Sequence, residues 1–152
     1  MSSFFECTPA PKHAINRPPS IIFYDGVCGF CNRFTAFVLA RDEDNLFRFA
    51  SLQSRFAVET LGKGKTAILN TVYVIVNPGE VDEKILSKSE AVTFVLSKMR
   101  GTSTFGRALR IIPKSFADQL YSLFAKHRYA IFGQLNICPS PSQEQRSKFI
   151  ES

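Results

Sequence analysis

The sequence predicts a mixed α/β fold, a βαβ unit followed by a ββα unit and then a C-terminal helical extension, and two observations set that order. An apolar run, Ile21-Ile22-Phe23-Tyr24, leads into a segment whose apolar residues Phe30, Phe34, Phe37 and Val38 recur at i, i+4, i+7 and i+8, the stripe of a half-buried helix. Further on, Thr71-Val72-Tyr73-Val74-Ile75-Val76 is almost wholly β-branched or aromatic. The Asn77-Pro78-Gly79-Glu80 that follows puts Pro and Gly at the centre of a type II turn, so the next run returns antiparallel.

Each element follows in turn. The first helix runs to about Arg41, where Asp42-Glu43-Asp44-Asn45 ends it. Leu46-Phe47-Arg48-Phe49-Ala50 is the second strand, and the helix between makes the two strands parallel through a right-handed crossover. Arg55 to Leu61 is a short second helix. Gly62-Lys63-Gly64-Lys65-Thr66 imitates the end of a phosphate-binding loop, but the loop's first glycine would fall on Glu59, which excludes nucleotide binding. Val81 to Leu86 is the fourth strand, and Ser89 caps a third helix with the stripe Val92, Val95, Leu96 and Met99. Phe105 to Ile112 and Ser115 to Phe132 are two further helices broken at Pro113, the second with a capping box of Ser115 and Asp118. Phe116, Leu120, Leu123, Phe124 and Ile131 make one face of it apolar. Packing onto the core is the expected fate of that face, with weak contact to a membrane surface as the alternative.

Composition bounds the rest. With 152 residues, 45% of them apolar, the chain can bury a core and is expected to form one domain. Residues 1–20 hold Pro9, Pro11, Pro18 and Pro19 and no continuous apolar stretch, so they are expected to be a mobile tail rather than a signal peptide. Residues 21–100 form the core, 101–140 the helical extension packed on it, and 141–152 a flexible C-terminal tail. No run approaches the roughly eighteen apolar residues of a membrane span. Four irregularly spaced cysteines do not make a disulfide scaffold, and a reducing, cytoplasmic setting is expected. The net charge of +6 lies wholly in residues 98–132, where Lys98, Arg100, Arg107, Arg110, Lys114, Lys126 and Arg128 face only Asp118. Such a block attracts nucleic acid, anionic membrane or an acidic partner, but a solvated helical face is the expected reading, and no nucleic-acid partner is expected.

The chemistry concentrates in Cys28-Gly29-Phe30-Cys31, placed where a strand gives way to a helix. Unpaired backbone N–H groups and the positive end of the helix dipole there favour a thiolate, the reactive form of cysteine. The second cysteine, one turn on, can close a disulfide with little backbone movement. The spacing in this context, together with the βαβ–ββα order, reads as a thioredoxin-like fold with its chemistry beyond the carboxyl end of the first strand. A zinc knuckle is the weaker alternative, since a single pair has only Cys7, Cys138, His13 and His127 to complete it. Asp25, three residues before Cys28, either ends the strand as a turn residue, relays protons or holds the loop by accepting backbone hydrogen bonds.

These residues resemble the DCC-type thiol-disulfide oxidoreductases, named for the aspartate and two cysteines present here as Asp25, Cys28 and Cys31. The likeness runs from about Ile21 to Pro139. It includes Phe23-Tyr24-Asp25-Gly26-Val27-Cys28, Phe49-Ala50-Ser51-Leu52-Gln53-Ser54, Ser89-Glu90-Ala91, Arg128-Tyr129 with Phe132-Gly133, and Cys138-Pro139. The resemblance implies a thioredoxin-like fold and a protein-disulfide reductase or oxidase activity. The chemistry of the motif assigns attack to Cys28, as the more exposed thiol, and resolution of the mixed disulfide to Cys31. The partners are then a disulfide-containing protein or a small thiol, and an external thiol reductant or oxidant; no cofactor or metal is called for. Gly29-Phe30 between the cysteines differs from the Gly-Pro of thioredoxins and the Pro-Tyr of glutaredoxins, so direction and potential do not carry over. Val72-Tyr73 stands where most thioredoxin-fold enzymes have a proline, which makes Thr71 or Val72 the candidate to face the dithiol. Cys138 is a third redox thiol, a zinc ligand with His127, or a small buried hydrophobe. Cys7 is incidental.

Overall fold

A computed structural model describes residues 17–135 and 141–150. Its four strands are β1 (Ser20–Tyr24), β2 (Phe47–Ser51), β3 (Tyr73–Val76) and β4 (Lys84–Ser87), in the order β2-β1-β3-β4. β1 runs parallel to β2 and antiparallel to β3, and β3 is antiparallel to β4. Six α-helices surround this mixed sheet among the described residues: α1 (Gly29–Arg41), α2 (Arg55–Leu61), α3 (Lys63–Thr66), α4 (Lys88–Lys98), α5 (Ser103–Leu109) and α6 (Lys114–Phe132). The fold is thioredoxin-like, as the order of elements predicts.

β1 is buried at every position, and its side chains alternate between two cores. Ile22 and Tyr24 join Val38 of α1 and Ala91 and Val95 of α4, whereas Ile21 and Phe23 join Ala57 and Leu61 of α2. The dithiol loop therefore leaves a strand gripped on both faces.

Several local expectations are corrected. The run 81–86 forms a strand only from Lys84, because the turn continues: Glu80 N–H bonds to Asn77 O, Glu83 N–H to Glu80 O, and Asn77 Nδ2 to Asp82. Ser89 lies inside α4, behind its N-cap Ser87, and Ser115 and Asp118 form no capping box on α6, whose N-cap is Pro113. Ser89 Oγ donates instead to Asp118, a bond that ties α4 to α6 and satisfies both groups.

The apolar face assigned to α6 does not pack on the core, since Phe116, Leu120, Leu123 and Ile131 are exposed. The helix turns Tyr121, Ala125 and Arg128 inward, and of the assigned face only Phe124 turns toward the protein, meeting Phe30 edge-on at 4.7 Å. Arg128, counted among the solvated cations, is buried.

Residues 145–150 are not a free tail. Arg146–Lys148 forms a 3-10 turn, Phe149 bridges to Phe49, and Ile150 N–H donates to Phe49 O at 2.8 Å. The segment covers the open edge of β2, which would otherwise present unpaired backbone groups. Lys148 Nζ reaches the buried carboxylate of Asp42 at 3.2 Å. At the other end, Ser20 belongs to β1 rather than to a tail. Cys7, His13, Cys138 and Pro139 fall outside the described residues.

Candidate functional site

Asp25 and the Cys-x-x-Cys extend directly from the buried end of β1. Cys28 is the N-cap of α1: its backbone is extended and its Sγ accepts the N–H of Cys31 at 3.3 Å. A cysteine here takes the place of the usual Ser or Asp cap and meets one of the helix's orphan donors. Asn32 braces the loop from inside the helix, donating from Nδ2 to Gly26 O (2.8 Å) and Cys28 O (2.9 Å).

Asp25 lies beneath the loop, 1% exposed. Its Oδ1 accepts Val27 N–H at 3.1 Å and Gln53 Nε2 at 2.7 Å; its Oδ2 accepts Arg128 Nη2 at 2.9 Å and the Tyr129 hydroxyl. A backbone bond from the loop, which one of the three readings of Asp25 calls for, is present. Arg128, 3% exposed, also donates to Leu69 O and places Nη1 3.6 Å from Cys31 Sγ. A guanidinium is suited to this position, since its fork of donors serves the carboxylate, a carbonyl and a sulfur together. Burial, with the bond to Asp25 added, pushes the Tyr129 hydroxyl up to about 12.

The two thiols are driven apart. Cys28 is pulled down to about 6, chiefly by its hydrogen bond with the Cys31 side chain; burial opposes this, while the Cys31 N–H and the Arg128 charge add to it. Cys31 is pushed well above the ordinary thiol range by the same bond and by burial. The thiolate absorbance of the reduced protein is therefore expected to titrate with a midpoint near 6, and Cys28→Ser to abolish that transition. Between that value and the ordinary thiol value of about 8.5, the folded protein binds fewer protons than the unfolded chain. Stability relative to Cys28→Ser should then rise with pH across this window and the gain be lost as pH falls through about 6, which denaturant titrations at several pH values would read.

The expectation that Cys28 is the more exposed thiol is corrected: it is 0% exposed, whereas Cys31 is partly open. The chain beyond α6 returns to pair with the loop that carries Cys28. Gly133, at φ +79, turns the chain back; Gln134 forms an antiparallel bridge to Cys28, and Leu135 N–H bonds to Val27 O at 2.6 Å. Gly29 N–H donates to Gly133 O at 3.2 Å, and a Cβ on Gly29 would stand 2.5 Å from Phe132 O, so the approach requires glycine there. Val72, one candidate to face the dithiol, donates its N–H to the Tyr121 hydroxyl at 3.0 Å. The charged side chain placed at the dithiol is Arg128.

Arg128, Asn32 and the residues that pair with the loop carry no assigned role in the sequence reading. A signal for Arg128 was present: Tyr121, Ala125, Arg128 and Phe132 share the helical spacing of a buried face, and a lone cation on such a face needs an acid. His127, the proposed zinc partner of Cys138, is exposed on α6.

A thioredoxin-like sheet that delivers a Cys-x-x-Cys to a helix start, backed by a buried carboxylate and guanidinium, defines a thioredoxin-like dithiol protein. A family model described as DCC1-like thiol-disulfide oxidoreductase matches residues 22–134, and the chain belongs to this family. It is 34% identical over 134 residues to the uncharacterized protein YuxK of Bacillus subtilis, a match covering 88% of this chain and 95% of that one. It is 32% identical over 141 residues to a chloroplastic DCC family protein of Arabidopsis thaliana, covering 90% of this chain and 73% of the relative. No solved structure matches the chain.

Proposed function

We propose that the protein exchanges disulfides with protein or small-thiol substrates through Cys28 and Cys31. The observation that carries this reading is the place of Cys28 at the cap of α1, its Sγ accepting Cys31 N–H at 3.3 Å, an arrangement that favours the Cys28 thiolate, while the bond to Cys28 and burial push the Cys31 thiol up. The Cys28 thiolate attacks a substrate disulfide, a mixed disulfide forms, and the departing sulfur takes a proton from solvent. Cys31 then attacks Cys28 Sγ, its proton passing to the second substrate sulfur, and the substrate leaves with two electrons. A thiol reductant, such as a cytoplasmic thiol pool provides, returns the Cys28–Cys31 disulfide to the dithiol; an oxidant drives the cycle backwards. All four donors on Asp25 are accounted for by the loop, Gln53, Arg128 and Tyr129, which supports a positioning role for it.

Equilibration in defined thiol buffers, quenching in denaturing alkylant and intact-mass readout test the proposal. A two-electron transition at roughly −120 to −270 mV, absent in Cys28→Ser, is expected. Thiols that stay reduced through that range would overturn it.

A further inference from the structure

α6 carries two apolar faces and the fold uses one. On the other, Phe116, Leu120, Leu123 and Ile131 are 55%, 51%, 58% and 65% exposed. The spacing of the first three aligns them along one side of the helix. α5 and the turn after it add Phe105, Ile111 and Ile112, also exposed. So many large apolar side chains within one stretch of chain exceed the scattered exposure normal for a soluble surface.

The charges carried by the same stretch of chain are one-sided. Within 98–132, Arg128 is committed to Asp25, Lys114 to Glu90 at 3.0 Å and Arg100 to Glu43 at 3.3 Å. Asp118, the segment's only acid, accepts from Ser89. Arg107, Arg110 and Lys126 have no acidic partner among the described residues, and all three are exposed.

We propose that the exposed stripe of α6, with the basic segment from α5 to α6, docks the protein on an anionic lipid surface, with α6 lying in the plane of the interface. Cations take the headgroups while the Phe, Leu and Ile side chains enter the acyl boundary, a combination in which neither signal alone suffices. A second copy of the chain fits less well, because a two-fold contact would set the same cations against each other. Nucleic acid would leave the apolar stripe in water. Docking does not depend on the dithiol chemistry, and its test reads no redox event.

Flotation of the full chain with phosphatidylcholine vesicles, with and without phosphatidylglycerol, decides the matter. Binding is expected only to the anionic vesicles, weakening as salt is raised. It should fall by about tenfold or more in Leu120→Gln/Leu123→Gln and in Arg107→Glu/Lys126→Glu, with melting unchanged because all four side chains are exposed. Absence of binding, equal binding to neutral vesicles, or binding that either variant retains would overturn the proposal. So would a concentration-dependent dimer lost in Leu120→Gln/Leu123→Gln, which would assign the face to a second copy.

Discussion

Arg128→Leu is expected to lower stability by about 3–5 kcal/mol, the usual result of removing one partner of a buried ion pair. The loss exceeds the value of the bond itself, because Asp25 remains behind at 1% exposure with a charge and no cation. For a chain of this size the melting temperature should drop on the order of 10 °C. Arg128→Lys should recover only part of this, since a single ammonium cannot serve Asp25, Leu69 O, the Tyr129 hydroxyl and Cys31 Sγ together. The double variant Asp25→Asn/Arg128→Leu should be more stable than Arg128→Leu alone, as no orphaned charge is left. A structural role alone would not move the thiol titration, so the same variants carry a second readout. Arg128 lowers the Cys28 pKa and Asp25 raises it. Arg128→Leu should therefore shift the thiolate midpoint upward and Asp25→Asn downward. A stability loss below about 1 kcal/mol with an unmoved midpoint would show the pair to be hydrated and remote from the dithiol.

A chain ending at Glu144 should lose a similar amount, about 3–5 kcal/mol. The Phe149 ring lies 5.5 Å from Phe49 and 6.4 Å from Tyr24, and burial of such a side chain contributes about 1.5–3 kcal/mol. Truncation also removes Lys148 from the Asp42 carboxylate, which caps the N–H groups of Leu46 and Phe47 at the start of β2. An uncompensated buried group adds about 1–3 kcal/mol. Denaturant midpoints of the full and shortened chains measure this directly. Equal midpoints would restore the reading of 141–152 as a free tail.

The sequence is most informative where contacts are local. The strand-to-helix junction at Cys28, the bounds of α2 and the turn at Asn77 follow from spacing and residue type within a few positions. Arg128 is different, because its acid stands 103 residues away and nothing in its neighbourhood distinguishes it from Lys126 except the phase of the helix. That phase was ambiguous: α6 has two apolar stripes, and the inward one carries Arg128 to the buried carboxylate of Asp25. The pairing of residues 133–135 with the Cys28 loop and the docking of Phe149 on β2 fail to appear for the same reason. Both join segments far apart in sequence, through backbone groups and through side chains whose partners no local pattern records.

The fully buried Cys28 separates two quantities that are often treated as one. Its acidity is set by Cys31 and Arg128, whereas its access to any outside sulfur requires that a residue 0% exposed be opened to solvent. Above the thiolate midpoint, raising the pH adds no further nucleophile, and the trapping rate becomes the intrinsic rate multiplied by the fraction of molecules in which Cys28 is open. Each ~1.4 kcal/mol opposing that opening slows reaction tenfold without moving the titration curve. The plateau height of a rate–pH profile thus reports an opening equilibrium, and its inflection reports a charge.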